Sequence, residues 1–113
     1  MGCDMLEPLL GSVNAERCLL FILVREAGYA SEMANFFDTD LSGIQKQLDK
    51  LEAGGVLASY KVGRTRLYRF NPRYSFLKEL RALLDKALGF HSADEQERLR
   101  IMRRRPRRKG KPL

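Results

Sequence analysis

The side chains best suited to chemistry in this chain are polar and basic groups that bind, and they lie between residues 42 and 69. Hydroxyl and amide groups come first, on a stretch with helical periodicity, and basic groups follow on a stretch of strand-forming composition. The candidates are Ser42, Gln45, Lys46, Gln47, Lys61, Arg64, Arg66 and Arg69. Amides both donate and accept hydrogen bonds, whereas guanidinium and ammonium groups bind phosphate oxygens. The set therefore predicts a polar, anionic binding partner.

Catalysis is not indicated by any motif. The sequence has no nucleophile–base pair, no carboxylate pair and no phosphate-cradling glycine loop, so we expect no enzymatic activity. The two cysteines, Cys3 and Cys18, lack metal-ligand spacing, and His91 is the single histidine. We therefore expect neither a metal ion nor another cofactor. Cys18 opens an apolar run, and we interpret it as a small buried hydrophobe.

The formal net charge of +7 comes entirely from the C-terminal end. Seven bases and no acid occur in this segment: Arg103, Arg104, Arg105, Arg107, Arg108, Lys109 and Lys111. Removing these seven from the 21 Lys and Arg residues leaves 14, which balance the 14 Asp and Glu residues. We interpret residues 103–113 as a disordered basic tail that binds nucleic acid without sequence preference, or as a solubilising end.

A second basic segment lies inside the otherwise neutral body. No acid occurs between Glu52 and Glu79, and six bases fall there: Lys61, Arg64, Arg66, Arg69, Arg73 and Lys78. A single surface Lys or Arg is usually solvated. Six basic residues without an intervening acid indicate a surface that makes electrostatic contacts with a partner.

Apolar periodicity predicts the elements that position these groups. Helices are expected over 13–27, 32–37, 41–53 and 75–88, with a weaker one over about 92–102 and a hairpin over 56–70. The hairpin turns at Gly63-Arg64, and a very short strand at residues 29–30 can join it. Ser31 and Asp40 are the expected caps of the second and third helices.

These elements define an α+β fold that is mostly α. The spacing on the third helix puts Ile44, Leu48 and Leu51 on one buried stripe, and strand spacing puts Tyr68 and Phe70 in the core. The expected organisation is an N-terminal arm over 1–11, a folded domain over 12–89, the weaker helix within 90–102 and the basic tail over 103–113.

The order helix, short strand, helix, turn, helix, two-stranded wing, helix is that of a winged helix-turn-helix. The motif LxxLEAGGVL at residues 48–57, followed by GRxxxYxxN at residues 63–71, resembles the recognition helix and wing of bacterial and archaeal winged-helix regulators. The chain is most similar to the ArsR-like group, including small regulators associated with minimal nucleotidyltransferases, over about residues 10–89. Metal-sensing members of that group carry a Cys-x-Cys element, and residues 35–41 contain no cysteine here. The resemblance therefore implies a regulator that does not sense metal in that way.

The resemblance implies a sequence-specific regulator of transcription that binds double-stranded DNA. Its recognition helix, residues 41–53, enters the major groove, and the basic wing, residues 61–69, contacts the backbone or the minor groove. Gln45 and Gln47 are then candidates for reading bases, since an amide can pair bidentately with adenine. Lys46 can reach guanine or a phosphate, and Ser42 can anchor a phosphate at the helix N-terminus.

Partners other than DNA are less defined by the sequence. The run at 19–24 is apolar almost all round, which fits either a central core helix or a helix covered by a second subunit. Together with the apolar stripe of the fourth helix, it favours a homodimer through the first and fourth helices. No apolar run is long enough to span a membrane and no signal peptide is recognised, so we expect a cytoplasmic, nucleoid-associated protein. A winged-helix module that binds protein, or an RNA-binding accessory factor, are the alternatives.

Overall fold

A computed structural model of the protein describes residues 5–100, as helices packed together with a small antiparallel sheet. The elements are α1 (Glu7–Leu10), α2 (Val13–Arg25), β1 (Gly28–Tyr29), α3 (Ala30–Phe37), α4 (Leu41–Ala53), β2 (Leu57–Val62), β3 (Thr65–Phe70) and α5 (Leu77–Leu88). A further helical stretch, α6, covers residues 93–100. The α+β, mostly α fold expected from the sequence is confirmed.

The helix α2 is the centre of the core. Its buried residues lie all round the helix: Ala15, Glu16, Cys18, Leu19, Leu20, Phe21 and Ile22. The helices α1, α3, α4 and α5 all pack against it, so intramolecular contacts account for its apolar character. Burial raises the pKa of the Cys18 thiol to about 12, in keeping with a buried hydrophobe at neutral pH. The helix ends at Arg25, earlier than expected, because Glu26 adopts a left-handed conformation with φ 73°.

Residues 5–11, the described part of the segment expected as an arm, take part in the core. They contain α1, which packs against α2. Leu6 is 8% exposed, and its N–H donates to Glu16 Oε1 at 3.1 Å. The sequence shows no helical periodicity over this segment because the helix is only four residues long.

The sheet has the strand order β1-β3-β2. The short strand begins one residue earlier than expected and pairs with β3, with Gly28 opposite Tyr68. Val62 lies opposite Thr65, which leaves a two-residue turn. Gly63 opens this turn with φ 62°, as a type II′ turn requires at its first central position.

The helix-turn-helix is formed by α3 and α4. The α3 helix begins at Ala30, and Glu32 Oε1 accepts a hydrogen bond of 2.9 Å from the Tyr29 N–H. The expectation that Ser31 caps this helix is wrong, because the helix begins before Ser31 and Tyr29 occupies the N-cap position. Asp40 stands at the N-cap position of α4 as expected, but its side chain makes no capping hydrogen bond.

Two arginines attach α6 to the rest of the fold. Arg98 Nη2 donates to the Phe36 carbonyl at 2.8 Å, and Arg25 Nε donates to the Leu99 carbonyl at 3.2 Å. The Arg98 guanidinium lies 4.1 Å from the Phe36 ring centroid, and that of Arg25 lies 5.0 Å from it. Burial lowers the pKa of Arg25, an effect that nearby Glu32 opposes. The expected weaker helix is thus docked on α2 and α3.

Within residues 5–100, no helix has the length and apolar content needed to cross a membrane.

Close packing around Gly28, not its backbone conformation, requires a glycine at this position. A larger residue there should therefore lower the stability of the fold. A Cβ there would lie 2.6 Å from Phe21 Cε1 and 3.1 Å from Met33 Cε, both in fully buried side chains. Gly28→Ala should lower the free energy of unfolding by about 1–3 kcal/mol, because the core must shift. Urea denaturation followed by circular dichroism measures this.

Gly54→Ala is the matched control. Its Cβ would have no heavy atom closer than 3.5 Å, and its φ is −83°. Its free energy of unfolding should stay within about 0.5 kcal/mol of the parent protein. Equal stability of the two variants would contradict the packing at β1.

Candidate nucleic-acid interface

The exposed side of α4 carries polar and charged side chains. Ile44 and Leu48 are fully buried and Leu51 is half-buried, which confirms the expected stripe. At about 100° per residue, the opposite side of the helix faces solvent. It presents Ser42, Lys46, Asp49 and Lys50, all exposed.

Gln47 lies on the flank of α4 that turns away from the wing, and it is half-buried. One turn earlier on this flank, Gly43 approaches α2, where a Cβ would lie 3.0 Å from Asn14 Nδ2. Gln47 is therefore beside α2 and not at the centre of the exposed side.

The pairing of β2 with β3 divides the basic residues of the wing between its two faces. Lys61 lies opposite Arg66, and Ser59 lies opposite Tyr68. Because side chains alternate along a strand, Lys61 and Arg66 share the face of Tyr68, which is the face toward α4. Arg69 belongs to the other face.

Arg69 has a partner on that other face. Its guanidinium lies 5.0 Å from the Tyr60 ring centroid, and both side chains are exposed. Tyr60 is therefore a surface residue that supports an arginine, whereas Tyr68 and Phe70 are buried as expected. Arg64 stands apart from both faces, exposed in the two-residue turn at the tip of the wing.

A chain of hydrogen bonds joins the wing to α4. Arg66 Nη1 donates to Ser59 Oγ at 3.0 Å, and the Ser59 hydroxyl donates to Glu52 Oε2 at 2.7 Å. One hydroxyl thus accepts from a cation on β3 and donates to a carboxylate on α4. This arrangement sets the distance and orientation of the wing relative to the exposed side of α4.

Gln45 forms a second link between the same elements. Its Nε2 donates to Asp49 Oδ1 at 3.0 Å and to the Tyr68 hydroxyl at 2.9 Å. Burial raises the pKa of Tyr68, and the hydrogen bond from Gln45 opposes this shift. The phenol is therefore neutral at physiological pH.

A groove of about 580 Å³ runs between α4, β3 and the start of α3. Asp49 and Glu52 line its helix side, and Arg64 and Arg66 line its wing side. The two acids were not among the site residues expected from the sequence. The position of Asp49, four residues after Gln45, was the available signal, since Gln and Asp at this spacing pair on a helix.

Among residues 5–100, no group of three or more His, Cys, Asp or Glu side chains is placed to hold a metal ion. The expected tail contacts, Arg103, Arg104, Arg105, Arg107, Arg108, Lys109 and Lys111, lie outside the described residues.

Comparison with known proteins identifies the fold. No known family model matches the chain, and no curated protein matches it. Among solved structures, it is similar to a variant of ZitR from Lactococcus lactis in its apo form, with a TM-score of 0.52 and 15% sequence identity over 96% of each chain. The likeness and the element order show a winged-helix fold, with α3 and α4 as the helix-turn-helix and β2 and β3 as the wing.

The pair of cations on the wing predicts a stability change. Lys61 and Arg66 are directly opposite and both exposed, and like charges in this position destabilise a hairpin. Lys61→Glu should raise the free energy of unfolding by about 0.2–1 kcal/mol, because it creates a cross-strand ion pair. Thermal and urea denaturation at low salt measure the change.

Arg64→Glu makes the same change of charge in the turn, where no cross-strand partner exists. It should alter stability by less than about 0.5 kcal/mol. Equal stabilisation by both substitutions would point to a general effect of net charge instead of the pair.

Proposed function

We propose that the protein is a sequence-specific regulator of transcription that binds double-stranded DNA. The observation that carries the proposal is the placement of two exposed cations, Lys61 and Arg66, directly opposite each other on the wing face toward α4. A like-charge pair lowers the stability of the hairpin, and a duplex phosphate relieves that repulsion. The fold shared with ZitR, a winged-helix regulator, supports the same function and a non-enzymatic role.

The exposed side of α4 is proposed to enter the major groove. A helix with its side chains is about 10–12 Å wide, which fits a groove about 12 Å wide. Ser42 at the first turn then approaches a phosphate, Lys46 meets guanine or a phosphate, and Gln45 faces base edges from the wing flank. Gln47 contributes less, because it lies beside α2.

The wing is proposed to contact the backbone or the adjacent minor groove. Lys61 and Arg66 approach phosphates from the α4 side, and Arg64 contacts the backbone or the minor groove from the tip. Arg69 lies on the other face and stacks on Tyr60, so its contribution should be the smallest of the wing.

We also propose the finer identity that the motifs support, which is an ArsR-like regulator that does not sense metal. A homodimer is part of this proposal, with two recognition helices about 34 Å apart on a roughly palindromic site. Since α2 is largely buried within the monomer, exposed apolar residues on α1 and before α5, such as Leu9 and Phe76, are better placed to meet a partner. A protein that binds chromosomal DNA in this way acts at the nucleoid.

Removing one contact from α4 and one from the wing tests the proposal. Lys46→Ala combined with Arg64→Ala should weaken binding to a selected duplex about tenfold or more at 0.1 M salt. The slope of log affinity against log salt should flatten by about one unit for each lost phosphate contact. Fluorescence anisotropy across a salt series measures both.

Arg81→Ala combined with Lys86→Ala is the matched control, since it removes the same charge from exposed residues of α5, outside the assigned surface. Unchanged affinity of the first variant, or an equal loss in both, would contradict the assigned surface. A preference of the parent protein for RNA over duplex DNA of the same sequence would favour the accessory-factor alternative.

The basic tail is proposed to add affinity that is independent of sequence. Deletion of residues 103–113 removes seven positive charges and should weaken binding to random duplex while leaving the ratio of specific to random affinity nearly unchanged. Competition binding with the two duplexes measures that ratio. A fall in the ratio would show that the tail reads sequence.

A further inference from the structure

The hydrogen bonds of Gln45 fix which of its amide atoms is left for a partner. A carboxylate only accepts hydrogen bonds, so the Asp49 oxygen at 3.0 Å requires the amide nitrogen, not the amide oxygen, on that side. The same nitrogen lies 2.9 Å from the Tyr68 hydroxyl. Both N–H groups of the amide are therefore used within the protein.

This orientation is held by the core. Tyr68 is 1% exposed, and its strand β3 pairs with both β1 and β2, so the hydroxyl has a fixed position. Asp49 is on the same helix as Gln45 and four residues later, where the two side chains are neighbours. Rotating the amide would leave the Asp49 carboxylate beside an oxygen, which is repulsive.

We infer that Gln45 offers DNA only its carbonyl oxygen, and so selects bases that present an amino group. This inference rests on the proposed function and names the specificity of the same surface. In the major groove, adenine offers N6–H₂ and cytosine offers N4–H₂, whereas guanine and thymine present acceptors. The contacted strand should carry adenine or cytosine at this position, with little distinction between them.

The inference corrects the sequence-based expectation of a bidentate pair with adenine. Such a pair needs an N–H donor for adenine N7 in addition to an acceptor for N6–H₂. Gln45 lacks the free donor as long as Asp49 and Tyr68 hold its nitrogen. The two partners therefore broaden the base preference of Gln45.

Selection of bound sequences from a random duplex pool tests this with the full chain. Gln45→Ala identifies the position, since one base pair per half-site should lose its preference. The parent protein should select adenine and cytosine there within about twofold of each other. Asp49→Ala combined with Tyr68→Phe frees both N–H groups, and preference for adenine over cytosine should then rise to about tenfold.

Two further variants serve as controls for this test. Asp49→Ala alone alters an exposed residue and should shift the preference in the same direction, even if the double variant folds poorly. Asp49→Asn removes the charge but keeps an oxygen acceptor, and it should retain the mixed preference. Thermal denaturation verifies that each variant is folded.

Several results would overturn the inference while leaving DNA binding intact. These are selection of adenine alone by the parent protein, a mixed preference that persists in the folded Asp49→Ala variant, or no altered position in Gln45→Ala. Absence of any sequence preference in the parent protein would instead contradict the proposed function, and the inference with it.

Discussion

The burial of Tyr68 between the sheet and α4 is the interaction on which the rest of the structure depends. Tyr68 lies opposite Ser59 on β2 and Gly28 on β1, so one residue unites all three strands. Burying such a side chain contributes about 1.5–3 kcal/mol. Its hydroxyl also binds Gln45, so core packing and the orientation of a surface amide are set by the same residue.

The packing of the wing against α4 places acidic side chains on the helix side of the groove and basic side chains on the wing side. Asp49 and Glu52 are on the flank of α4 that faces the wing, where they accept hydrogen bonds from Gln45 and Ser59. Arg64 and Arg66 line the wing side of the same groove, opposite these acids. In the proposed complex, a phosphate therefore approaches the two arginines from the open side of the groove, away from Asp49 and Glu52.

Most of the fold could be predicted from the sequence because its signals are local. The stripe of α4, the turn at Gly63 and the burial of Tyr68 all follow from spacings of two, three or four residues. The contacts that were missed join distant parts of the chain. Arg25 and Leu99 are 74 residues apart, and Gln45 and Tyr68 are 23 apart. No periodicity encodes such pairs, so the helix and wing were predictable, but the constraint on the Gln45 amide was not.

The docking of α6 places the last described turn of the chain beside the helix-turn-helix. Arg98 binds the Phe36 carbonyl near the end of α3, so the last described turn of the chain is next to the connection between α3 and α4. The charged segment begins a few residues later in the sequence. A short tether gives attached groups a high effective concentration near the site. In the proposed complex, the seven charges would increase affinity for any duplex that α4 contacts, while base preference would stay with the side chains that the core holds in place.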